Sequence, residues 1–144
     1  MAVHVYKCPV RWSDLDVYGV VNNVSFLRLL EEARVDLIWR LGSADGDAFF
    51  DGGSVVVRHE IEYKRPLKHQ ASVDIHVWVS NLQAAAVTLE CEVRDGEVIY
   101  AYASSMMAAY SYKEGRPRRL TAKEQAFLEQ FYEDRKAIPA VRHL

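Results

Sequence analysis

The stretch DLDVYGVVNN, residues 14–23, sets Asp14 and Asp16 two positions apart, then Gly19, Val20, Val21, Asn22 and Asn23, directly ahead of a segment with helical apolar spacing. Carboxylates at such a place serve one of two ends. They accept hydrogen bonds and complement the positive end of the helix dipole, the ordinary use of acids before a helix. Alternatively, one of them acts on a bound molecule as general base or nucleophile, beside the unpaired N–H groups of a helix start, which form a ready anion site. Asn22 or Asn23 reads as the cap itself. Glu31, on the helix, pairs most simply with Arg34 three residues on.

Positive charge gathers at YKRPLKH, which holds Lys64, Arg65, Lys68 and His69, and at EGRPRRL, which holds Arg116, Arg118 and Arg119. Solvated surface is the usual meaning of such runs. Cys8 and Cys91 are the only cysteines, without a CxxC or companion histidines at metal spacing, so plain buried thiols are expected rather than a disulfide framework or a zinc site. His59 and His76 face opposite ways by strand parity and have no evident triad partner. Tyr100, Tyr102, Tyr110, Met106 and Met107 read as core.

The elements that must position these groups follow from periodicity. VHVYKCPVRW, residues 3–12, is rich in β-branched and aromatic residues and predicts a strand. From Asn23 to about Leu41 apolar residues fall at Phe26, Leu29, Leu30, Ala33, Leu37 and Leu41, the spacing of a helix with one buried face, which Gly42 can end. Arg28 with Glu32 and Asp36 with Arg40 lie one turn apart on the wet face. After the loop SADGDAFFDGG the period changes to two. Val55, Val57, His59, Ile61 and Tyr63 share one strand face; Val73, Ile75, Val77 and Val79 share another; Ala85, Val87, Leu89, Cys91 and Val93 share a third. Pro66 stops the first of these runs. RDGE, residues 94–97, is an Asp-Gly hairpin turn into VIYAYASSMMAAYSY. TAKEQAFLEQFYEDRKA predicts a terminal helix over about 121–136, with Thr121 and Glu124 as a capping box.

At 144 residues, 50% hydrophobic and 26% charged, the chain has the make-up of one folded domain over residues 1–144. A net charge of -2 argues against a global partnership with nucleic acid. The start lacks a basic segment followed by an apolar run, and no window approaches eighteen uncharged apolar residues, so a soluble cytoplasmic protein without a membrane span is expected. An α+β fold, with an antiparallel sheet curled over one long helix, satisfies these faces. Its sheet edges call for cover, which a two-fold dimer supplies.

RWSDLDVYGVVNNVSFLRLLEEAR, residues 11–34, resembles the hot dog fold acyl-CoA thioesterases of the 4-hydroxybenzoyl-CoA thioesterase-like family. EYKRPLKHQASVDIHVWV, residues 62–79, is similar to that family's strand, Tyr-x-x-Pro turn and next strand, and the likeness runs from about Val3 to Arg119. Val20 stands where many relatives have histidine. The resemblance implies a hot dog fold, a homodimer or homotetramer with its site between subunits, and hydrolysis of an acyl-CoA to a free acid and coenzyme A. It makes Asp16 the catalytic carboxylate and Glu31 a second site carboxylate, with Asp14 structural. It also implies that Gly19, Val20, Val21, Asn22 and Asn23 receive the thioester carbonyl, and that Tyr63, Lys64, Arg65 and Lys68 receive the nucleotide phosphates. No metal or cofactor beyond the substrate's coenzyme A is implied.

The chemistry is reasonable for a lone carboxylate. A thioester carbon is electrophilic because sulfur donates weakly into the carbonyl, and a thiol of pKa about 8.5 leaves as thiolate without a strong acid. Two other readings fit the fold. A dehydratase or hydratase of acyl thioesters would want a His-Asp or His-Glu pair, and a non-enzymatic binder of acyl or aromatic ligands would need no carboxylate.

Overall fold

The computed structural model describes residues 3–42 and 52–139, so most of the expected loop SADGDAFFDGG lies outside the described residues. The elements are β1 (His4–Pro9), α1 (Asn23–Val35), β2 (Ser54–Tyr63), β3 (Ser72–Leu82), β4 (Ala86–Asp95), β5 (Val98–Ser111), β6 (Arg116–Pro117) and α2 (Ala122–Glu129). The sheet is antiparallel throughout, in the order β1-β3-β4-β5-β2, with the short β6 added to the far end of β5. The expected α+β architecture, a sheet curled over a central helix, is the one formed.

Helix α1 starts where expected: the Asn22 side chain accepts from the Val24 amide at 2.8 Å. Its stripe buries Phe26, Leu29, Leu30 and Ala33 against the inner sheet face. Each large side chain so buried contributes roughly 1.5–3 kcal/mol. Facing them are Val73, Ile75, Val77 and Val79 of β3, Val87, Leu89, Cys91 and Val93 of β4, and Ala101, Ala103, Met107 and Ala109 of β5.

Past Val35 the helix does not continue as an α-helix to Leu41. Residues Asp36–Leu41 form a π-helical turn. The wider turn rotates the face, so Leu37 and Ile38 are buried while Leu41, expected inside, is 42% exposed. Gly42 follows with φ -64°, an ordinary helical value, so no left-handed cap ends the helix.

Strand β2 corrects a second expectation. Val56 pairs with Met107 and Arg58 with Met106, so a bulge at Val57 breaks the alternation. The inner face is therefore Ser54, Val56, His59, Ile61 and Tyr63, and Val57 is 56% exposed. This strand is a sheet edge, and much of its apolar surface stays open.

The β4–β5 hairpin is present, but its turn is shifted by one residue: Asp95 pairs with Val98, leaving Gly96 and Glu97 at the bend. Gly96 takes φ +58°, a left-handed value that glycine adopts without strain. On β5 from Ala101 the odd positions point inward, so Met107 is core, whereas Tyr102, Met106 and Tyr110 lie half-buried on the outer face and are not core as expected; Tyr100, at the bulge before Ala101, is half-buried and packs against the core as expected.

The capping box of α2 is formed, with Thr121 N–H donating to Glu124 Oε1 at 2.8 Å and Glu124 N–H to Thr121 Oγ1 at 3.1 Å. The helix stops at Glu129 instead of running to 136. The chain beyond it is drawn alongside β3, where Val79 donates to Phe131 O at 2.7 Å and Glu133 donates to Val79 O at 2.9 Å, and then crosses the outer face. This strap covers Trp78, whose Nε1–H donates to Arg135 O at 2.9 Å. It also covers Glu90, which accepts from Ser80 Oγ at 2.6 Å, Ser104 Oγ at 3.0 Å and the Ala137 amide at 2.9 Å. Sheet alternation alone would have left both on a wet face. No helix among the described residues is long and apolar enough to cross a membrane.

Candidate active site

The two acids of the opening stretch have different fates. Asp14 ends a short 3-10 turn, Trp12–Asp14, and is 3% exposed. It accepts from the Arg11 amide at 2.8 Å and, on both oxygens, from Arg28 Nε at 2.9 Å and Nη2 at 2.6 Å. Burial pushes its carboxyl pKa up, but the Arg28 and Arg11 hydrogen bonds outweigh burial and hold it below the usual aspartate value. It is a fixed anion that ties the loop to α1. Arg28 meets Glu32, its expected helical partner, only at 3.8 Å. The contact that matters reaches back fourteen residues, a separation that helical spacing cannot signal.

Asp16 is half-exposed and is not the helix cap, since Asn22 fills that place. Its Oδ1 closes a local turn, accepting from Tyr18 N–H at 2.8 Å and, more loosely, Val20 N–H at 3.5 Å. Its backbone brackets the same turn, with Asp16 N–H to Val20 O at 2.8 Å and Gly19 N–H to Asp16 O at 3.1 Å. Gly19 sits at φ +78°, and a side chain there would be strained for that reason alone, because the space around it is open. Asp16 Oδ2 has no hydrogen-bond partner among the described residues.

The loop is docked on the basic turn. Val21 N–H donates to Leu67 O at 2.7 Å, and Val20 bridges to Lys68. Lys64 and Arg65 are aimed by their amides, which both donate to Tyr100 O, at 2.8 and 3.3 Å. That carbonyl lies at a β4–β5 bulge, since Val93 pairs with Ala101 and Arg94 with Ile99. Tyr63 packs edge-on against Phe26 at 5.2 Å and its hydroxyl donates to Asn23 O at 3.0 Å.

The result is an open cavity of about 410 Å³ lined by Asp16, Val20, Val21, Asn23, Phe26, Tyr63, Lys64, Arg65 and Pro66. Seven residues expected from the sequence thus meet in one place. Gly19, Asn22 and Lys68 flank it as turn, cap and bridge. Glu31 does not join it: exposed on α1, it lines a separate cavity of about 180 Å³ with Arg34, Trp39, Ser54, Val56 and Met107. Nor does Glu31 form an ion pair within 4.0 Å with Arg34 among the described residues, although both line this cavity. The expected carbonyl cradle is also narrower than the stretch 20–23. The Asn22 amide is committed to Asp14 O at 2.8 Å and the Val21 amide to Leu67 O, leaving Val20 N–H loosely held and Asn23 N–H, in the first turn of α1, without an intrahelical acceptor.

The other charged groups separate from this site. Arg118 holds Glu124 at 2.9 and 3.0 Å and Gly53 O at 2.9 Å, fastening α2 to the sheet. His69 stacks on Trp12 at 3.8 Å. His59 and His76 do face opposite ways, and His59 has an unforeseen partner in Ser105 Oγ, 2.8 Å from its Nδ1. Burial pushes the Cys8 thiol up to about 11 and the Cys91 thiol to about 12, so both remain inert thiols. A cavity of about 610 Å³ beside Glu90 lies on the opposite face of the sheet, under the strap, and Glu90 is already satisfied there.

Known proteins resemble this chain in sequence and in fold. A Bacillus subtilis (strain 168) protein, YneP, named provisionally as an acyl-CoA thioesterase, is 33% identical over 82 residues, 55% of this chain and 59% of that protein, so the chain matches little more than half of that relative's length. A structure from Thermus thermophilus, of a thioesterase complexed with coenzyme A and Zn, superposes with a TM-score of 0.73 at 26% identity over 88% of this chain and 92% of that one. One from Bacillus stearothermophilus, a thioesterase by prediction, shares the fold with a TM-score of 0.81 at 18% identity over 93% and 99% of the two chains. The family model described as the thioesterase-like superfamily matches residues 10–136, from the edge of β1 through the Asp16 loop to the outer strap, and by that extent the chain belongs to the thioesterase-like superfamily.

Proposed function

We propose that the protein hydrolyses an acyl-CoA thioester to a free carboxylic acid and coenzyme A, with Asp16 as general base or nucleophile. One observation carries the reading: Asp16 keeps one carboxylate oxygen unbonded in a cavity that also presents Lys64, Arg65 and the first turn of α1. Family membership and the thioesterases among its relatives support it. As base, Asp16 takes a proton from water while the water oxygen bonds to the thioester carbon; the tetrahedral oxyanion collapses, the C–S bond breaks and the thiolate leaves with its electron pair. As nucleophile, Asp16 forms an anhydride with release of the thiolate, and water then cleaves it. Asn23 N–H, with Val20 N–H beside it, is the donor placed to hold the oxyanion. Lys64 and Arg65 meet the anionic nucleotide end, where the charge is remote from the reacting carbon. The site works in a homodimer or homotetramer, in which the open edge β2 is covered by a second copy. The test is a panel of acyl-CoAs with a thiol-detecting reagent: release of free thiol supports hydrolysis, and its absence across aromatic, short and long acyl groups would overturn it.

A further inference from the structure

Arg34 lies inside the apolar stripe of α1 and is 5% exposed. Its Nη1 is sealed from solvent with no hydrogen-bond partner, and no carboxylate approaches within 4.0 Å among the described residues. An unpaired guanidinium in such a place is strongly unfavourable, and arginine cannot relieve it by losing its proton. The groups around it offer no direct ion pair. Cys91, across the sheet face, remains a neutral thiol because burial raises its pKa. His59, which Arg34 helps keep neutral after desolvation has already lowered its pKa, is engaged with Ser105. Glu31 attracts the guanidinium electrostatically, but it is exposed and forms no ion pair with it.

The side chain lines the small cavity with Val35, Trp39, Ser54, Val56 and Met107, a mainly apolar wall with one hydroxyl, to which the exposed Glu31 adds a carboxylate. That cavity, about 180 Å³, is too small for a whole acyl-CoA and suits the end of a chain. It and the Asp16 cavity are lined by the same two elements: α1 supplies Phe26 to one and Arg34 to the other, and the inner face of β2 supplies Tyr63 to one and Val56 to the other. Eight residues of helix separate Phe26 from Arg34, roughly 12 Å at 1.5 Å per residue.

We propose that Arg34 receives a carboxylate at the far end of the acyl group, so that the preferred substrates are mono-CoA thioesters of medium-length dicarboxylic acids. The proposal rests on the thioesterase reading and names its substrate class. A guanidinium binds a carboxylate through two parallel N–H···O bonds, and Ser54 adds a donor. A site that holds a buried charge for this pairing rejects an analogue lacking it, because the charge is then left unmet.

The experiment compares kcat/KM for a terminally carboxylated acyl-CoA and a methyl-terminated acyl-CoA of equal length in the wild-type protein and in Arg34→Met, which keeps the stem without the charge. At least a tenfold preference for the carboxylated substrate is expected, lost in Arg34→Met mainly through KM and partly restored in Arg34→Lys. Equal rates in the wild type, or a proportional loss on both substrates in Arg34→Met, would overturn the proposal. So would a change in sedimentation of Arg34→Met without a substrate preference, which would assign the arginine to a contact between copies. A second measurement needs neither turnover nor a folded variant: free dicarboxylates should raise the wild-type Tm more than monocarboxylates of the same length, and equal shifts would count against the site. If no acyl-CoA is hydrolysed but the dicarboxylate shift persists, the anion site stands and the thioesterase reading fails.

Discussion

Asp16→Asn separates chemistry from structure because its two effects differ in size. In the turn, Oδ1 accepts from Tyr18 N–H at 2.8 Å. An asparagine keeps that acceptor only if its amide oxygen takes the Oδ1 place, which sets its NH2 group where Oδ2 faced the cavity. The structural loss is one half-exposed charge-assisted bond made neutral, a few tenths to about 1 kcal/mol. At the cavity, a lone pair able to take a proton or attack carbon becomes a donor that can do neither. For a positioned base this should lower kcat on the order of a hundredfold or more, about 2.7 kcal/mol or more of transition-state stabilisation at 1.36 kcal/mol per tenfold. KM should hold nearly constant, because Lys64 and Arg65 are untouched. The assay is continuous thiol release at saturating acyl-CoA, with the unfolding midpoint measured on the same preparation. Glu31→Gln is the control. Near-full turnover in Asp16→Asn with a dead Glu31→Gln would move the catalytic role to the second cavity, and normal turnover in both would refute the carboxylate mechanism.

Four further outcomes are expected. Asp14→Asn should destabilise the fold by roughly 1–3 kcal/mol in denaturant, less than a fully buried pair because the Arg28 side chain is 27% exposed. Since the folded-state pKa of Asp14 is depressed, its contribution is present above the unfolded value of about 3.9 and lost as pH falls through the folded one, so wild-type stability should decline below about pH 4 with a slope that Asp14→Asn reduces. Replacing Lys64 and Arg65 together by alanine should raise KM for acyl-CoA far more than it lowers kcat, and the gap should shrink with added salt; an unchanged KM would make the turn mere solvated surface. Sedimentation should give the mass of a dimer or a multiple of it, and a fully active monomer would contradict cover of β2 by a second copy. Glu90→Ala should lose about 1–3 kcal/mol by stranding the Ala137 amide, read as a lower denaturant midpoint at constant m; a silent change would mean the strap is held elsewhere.

Local features were legible in the residues themselves. The Asn22 cap, the Thr121–Glu124 capping box, the start of α1 and the hairpin near Gly96 each involve groups within a few positions, so spacing suffices to show them. Much of the candidate site was legible for a similar reason, since the Asp16 turn closes on itself and the basic turn lies just past a strand end. Arg34 left a readable trace as well, being four residues after Leu30 and three before Leu37, a charged residue within an apolar stripe. What spacing could not show is any outcome set by a partner distant in the chain. Arg28 chose Asp14 over Glu32 because the loop folds back over the helix. The bulge at Val57 put Val56 rather than Val55 and Val57 on the inner face of β2, since one added residue offsets the alternation on its two sides. The outer face of β3 and β4 buried Trp78 and Glu90 only because the chain after Glu129 crosses it, trading helical hydrogen bonds for those of Val79. Periodicity reports how many faces a segment wants to bury; only the folded chain decides what arrives to cover each one.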